Sequence, residues 1–125
     1  MSTYQITELI TSHHLELERL CSDLLEVGSR LDADDSMATD AFRERVRALG
    51  WRLRAHRAEE AAALIAAAGD GRAALLSRMR HEVARVEAVI ERTATVERPL
   101  EAARVACDAA RECRAELDRL AHAAA

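Results

Sequence analysis

Apolar residues recur three and four positions apart in four successive stretches of this chain, and three short polar or glycine-bearing marks separate them. That spacing is the signature of helices with one buried stripe each, so the order of marks and stripes fixes the fold class. The marks are Asp32-Ala33-Asp34-Asp35-Ser36, Gly69-Asp70-Gly71, and the segment from Thr95 to Pro99, which places a proline at a favoured first-turn position. Helices are expected near 4–30, 40–68, 72–94 and 99–124, with Ser2 and Gln5 at capping-box spacing and Thr39 or Asp40 capping the second. Val, Ile, Thr and the aromatics supply only 20 of 125 residues, too few for a sheet fold, whereas Ala alone supplies 27. Connections this short force neighbouring helices to run antiparallel. The expectation is one all-α domain over 1–125, an up-down-up-down four-helix bundle.

The stripes name a core: Ile6, Ile10, Leu17, Leu20 and Leu24; Phe42, Val46, Leu49, Leu53 and Leu64; Leu75, Met79, Val83, Val86 and Ile90; Ala103, Ala106, Ala110, Cys113, Leu117 and Leu120. Formal charge is −4, every basic residue is Arg, and no aromatics interleave with the arginines, so nucleic acid is not an expected partner. The longest apolar run, from Ala61 to Ala68, is too short to span a bilayer, and the polar opening lacks the pattern of a secretory signal. A soluble cytoplasmic protein is expected. Three cysteines without paired metal-type spacing argue against a disulfide framework or zinc finger. Cys113 is expected to face inward as packing, and Cys107 to lie off the stripe, partly exposed. Neither a Ser-His-Asp or Cys-His triad nor a glycine-rich phosphate loop can be placed.

Chemistry in a bundle is written where polar residues interrupt the inward stripes, because a buried charge needs a compensating partner. On the second stripe Glu60 falls near the centre and His56 one turn earlier, an inward H-x-x-x-E pair that can present nitrogen and oxygen to one cation. The plain alternative is a buried Glu paired to an Arg. On the first helix His13 lies nearer the stripe's centre and His14 on its flank. Trp51 projects away from its own stripe, which suggests either a partly covered surface residue or an anchor for a partner subunit, with a homodimer as one possibility.

Ile10-Thr11-Ser12-His13-His14-Leu15-Glu16-Leu17 and the run Leu49-x3-Leu53-x2-His56-x3-Glu60-x3-Leu64-Ile65 resemble the first two helices of hemerythrin-like, HHE cation-binding domains. The resemblance covers about half the chain. It implies His14, His56 and Glu60 as metal ligands, with Glu60 able to bridge, around one or two non-haem iron ions that meet a small diatomic molecule or peroxide. The second half departs from that pattern: Val83 occupies the expected third-helix ligand slot, and His81 and His122 point away from their stripes. Two functions therefore stand open. One is a hemerythrin-like metal protein for binding, sensing or detoxifying oxygen, peroxide or nitric oxide. The other is a degenerate, metal-free bundle serving as an interaction or structural module, whose inward His and Glu form a polar layer that would tolerate Glu60→Gln with little change.

Overall fold

A computed structural model describes residues 3–32, 38–66, 72–93 and 98–124. It contains α1 (Thr3–Asp32), α2 (Thr39–Ala66), α3 (Arg72–Thr93) and α4 (Pro99–Ala124), packed as an all-α four-helix bundle. Ser2 and most of the three marks lie outside the described residues. Pro99 opens α4 at the first helical position, and the first bond of the helix runs from the Ala102 amide to the Arg98 carbonyl at 2.9 Å. Among the described residues no helix is long and apolar enough to cross a membrane.

Cross-helix pairs establish the directions. Glu18 meets Arg111 while Gly28 meets Ala103, so α1 and α4 run antiparallel; His13 meets Glu60 while His56 meets Glu16, so α1 and α2 do too. The expected stripes form the core, with Leu20 and Leu75 at its edge and only partly buried. Around the bundle each helix packs on the next, and α2 also touches α4 across the diagonal, whereas the backbones of α1 and α3 stay apart among the described residues. Small side chains line much of the inward face of α4, where Ala102, Ala103, Ala106 and Ala110 are all buried. On the α1 side, a Cβ added at Gly28 would lie 3.2 Å from both the Ala103 Cβ and the Pro99 carbonyl oxygen. Glycine at 28 is what lets the two backbones approach this closely.

Because α4 faces three helices, it buries a wider arc than a single stripe. Cys107 is accordingly completely buried, contrary to the partial exposure expected of it, and its thiol donates to the Cys21 carbonyl at 3.7 Å.

Candidate functional site: a buried charged layer

Three helices send polar side chains into one level of the core. α1 supplies His13, which continues the line of Ile6, Ile10 and Leu17 and is 3% exposed. α2 supplies His56 and Glu60, one turn apart on the line of Leu49, Leu53 and Leu64. α4 supplies Arg114, which is fully buried. Arg114 stands on a second inward line of α4, through Cys107, Ala110, Leu117 and Ala121, three and four apart.

Glu60 and Arg114 form a two-pronged ion pair, with Nη1 donating to Oε2 at 2.6 Å and Nη2 to Oε1. His13 Nδ1 donates to the same Oε2 at 2.6 Å, and its Nε2 donates to Glu59 at 3.0 Å. Both ring nitrogens of His13 thus face carboxylate oxygens, one from Glu60 and one from Glu59. Burial is the largest influence on Glu60 and pushes its pKa up. The bonds and charges of His13 and Arg114 outweigh it and hold the carboxyl below its ordinary value of 4.5.

His56 stacks on His13 with ring centroids 3.9 Å apart and planes within 11°. Its pKa lies below the ordinary 6.5, first because burial disfavours the charged ring and then because the cations His13 and Arg114 repel a second charge; Glu16 acts in the opposite direction. The neutral ring donates from Nε2 to Glu16 at 3.1 Å, leaving Nδ1 buried with no partner. Glu16 is also paired with Arg52. The cations Arg114 and Arg52 thus hold the carboxylates Glu60 and Glu16, and His13 bridges Glu60 and Glu59.

Of the three residues that the family resemblance implied as ligands, the structure brings His56 and Glu60 together and sends His14 elsewhere. His14 lies at the α1/α4 surface, 44% exposed, with Nε2 3.8 Å from Asp118. His13, its neighbour, occupies the inward place. His81 and His122 are exposed, as their facing implied, and His122 bonds the Asp118 carbonyl. Cys113 is buried, and burial pushes its thiol up to about 12, so it remains protonated. Among the described residues, no three His, Cys, Asp or Glu side chains are grouped to hold a metal ion. The donor set as arranged does not fit one: a guanidinium occupies both oxygens of Glu60, each nitrogen of His13 is engaged by a carboxylate, and His56 leaves only Nδ1 free.

No family model matches the chain, and no curated protein or solved structure is significantly similar to it. The hemerythrin-like resemblance rests on its own residues.

The His56 environment predicts an acid response. A folded pKa below 6.5 means that the unfolded chain takes the proton first, so this contribution is complete above pH 6.5 and is lost as pH falls through the folded value. His56→Gln keeps an Nε2 donor for Glu16 but cannot titrate. Urea denaturation at about pH 7.5 and about pH 5.5 should show wild type losing more stability than the variant across that interval. Equal losses would mean that His56 is not held neutral.

Proposed function

We propose that this chain is a metal-free helical bundle that works as a protein-interaction module, its charged layer fixing how the helices register and its outer face left for a partner. One observation carries the reading: the Arg114 guanidinium lies on both oxygens of Glu60, supplying the positive charge that a cation would otherwise bring. An arginine held this way is a poor element to displace, because its departure would strand a buried carboxylate. A cytoplasmic setting belongs to the same reading and is supported by three free cysteines, all buried.

The hemerythrin-like reading keeps one point in its favour, the gathering of two stacked imidazoles and the carboxylates Glu16, Glu59 and Glu60 at one level. Under it non-haem iron would serve a diatomic or peroxide ligand, and Arg114 would have to leave Glu60. Elemental analysis of protein purified from iron-supplemented cells separates the two. The interaction module predicts far less than one equivalent of iron, manganese or zinc, and a melting temperature indifferent to added metal. One equivalent of metal that disappears in Glu60→Gln would overturn it.

A further inference from the structure

The α2 helix carries a second apolar line on the side away from the core. Ala48, Trp51, Ala55, Ala58, Ala62 and Ile65 follow one another at alternating steps of three and four, the 3.5-residue repeat of a helix that packs along another helix. None of the six is buried, and the two large members stand well clear of the bundle, Trp51 59% and Ile65 58% exposed. The line runs about 27 Å along the helix. Trp51 is backed by Arg52, whose guanidinium lies 5.4 Å from the ring centre, and it forms one wall of a groove of about 540 Å³ that is lined by Val46, Gly50 and Ile90 and by charged side chains of α2 and α3. The line borders the charged layer at Arg52 and Glu59, which flank Trp51 and Ala58.

Size and charge along this line are complementary to the line itself turned end for end. Two antiparallel copies in register set Trp51 against Ala62, Ala55 against Ala58 and Ile65 against Ala48, so each layer with a large side chain meets a small one. The same turn brings Arg52 of each copy, whose Nε and Nη2 hold Glu16 of its own chain, beside Glu59 of the other. Glu59 is 52% exposed and uses only Oε2 to hold His13, so its second oxygen faces no described partner. Parallel copies would instead stack Trp51 on Trp51 and set Arg47 beside Arg52, a like-charge contact. We infer that this outer face of α2 docks on the same face of a second copy, the two α2 helices antiparallel across a two-fold axis. The inference rests on the interaction-module reading and names the partner.

Sedimentation of the full chain at tens of micromolar should give a mass near twice 13.8 kDa, falling toward one copy on dilution. Ala58→Arg buries an unpaired charge in the central layer and should weaken association about a hundredfold or more. Because Ala58 is exposed in the single bundle, helicity and melting of that variant's monomer should match wild type. Trp51→Ala should weaken pairing by removing the anchor, and Ala62→Trp by setting two indoles in one layer. The double variant Trp51→Ala/Ala62→Trp exchanges large and small and should restore pairing, which parallel helices would not do. A single-copy mass at every concentration overturns the inference, as does a dimer indifferent to Ala58→Arg or an exchange that fails to rescue. A metal-free monomer would remove the self-pairing and leave the module reading standing, whereas stoichiometric metal would remove the reading itself.

Discussion

Replacing Glu60 by Gln is expected to cost the bundle about 3–5 kcal/mol, the usual penalty for removing one partner of a buried ion pair. In this protein the partner left behind is Arg114, fully buried, while His13 loses the carboxylate it bonds. A guanidinium would face one neutral amide at the centre of the core. Melting should fall by at least about 10 °C, readable by circular dichroism. The polar layer of inward His and Glu expected from the sequence would tolerate the change; the buried Arg114 on Glu60 is what makes it costly. A double-mutant cycle with Arg114→Met isolates the pair: the double variant should cost clearly less than the two singles added together. Coupling below about 0.5 kcal/mol, the scatter of independent sites, would mean the two-pronged contact does not persist in solution.

Arg114→Met alone should destabilise by a similar amount at neutral pH, with a different pH signature. In wild type the Glu60 pKa lies below 4.5, so its pairing stabilises the fold above that value and is lost as pH falls through the folded pKa. Without the guanidinium, burial keeps pushing the Glu60 pKa up while two of the influences that lowered it are gone. Protonating the stranded carboxyl then relieves part of the damage. Denaturation midpoints of wild type and variant should therefore draw closer between about pH 7 and about pH 4. A gap that stays constant would assign the loss to packing of the arginine stem and not to charge.

The helices were legible because helix-period stripes and terminators agree: the ends at Thr39, Arg72, Thr93, Pro99 and Ala124 fall within a residue of those expected. The site was legible only in part. His56 and Glu60 announce themselves by breaking an apolar stripe, and a buried Glu paired to an Arg was an open alternative. The identity of that Arg was hidden, because it comes from 54 residues further along the chain and arginine ordinarily seeks solvent. The signal existed: Cys107, Ala110, Arg114, Leu117 and Ala121 keep an inward spacing, and the complete burial of Cys107 has the same origin. A stripe drawn only through Ala103, Ala106, Ala110, Cys113, Leu117 and Leu120 misses it, since α4 buries an arc wide enough for both lines. Between His13 and His14, about 100° apart on the helix, the line of Ile6, Ile10 and Leu17 favours His13, whereas the family resemblance pointed to His14.

The charged layer ties α1, α2 and α4 together and passes α3 by. To the core α3 contributes apolar side chains such as Met79, Val83, Val86 and Ile90, and its polar ties to neighbouring helices, Arg54 with Glu87 and Arg78 with Glu116, lie at the surface. Lifting α3 away would hydrate oily surface but separate no interior ions, whereas moving any of the other three would strand a charge. Of the four helices, α3 is therefore the one whose release is expected to carry the smallest electrostatic cost, the other three acting as a single latch.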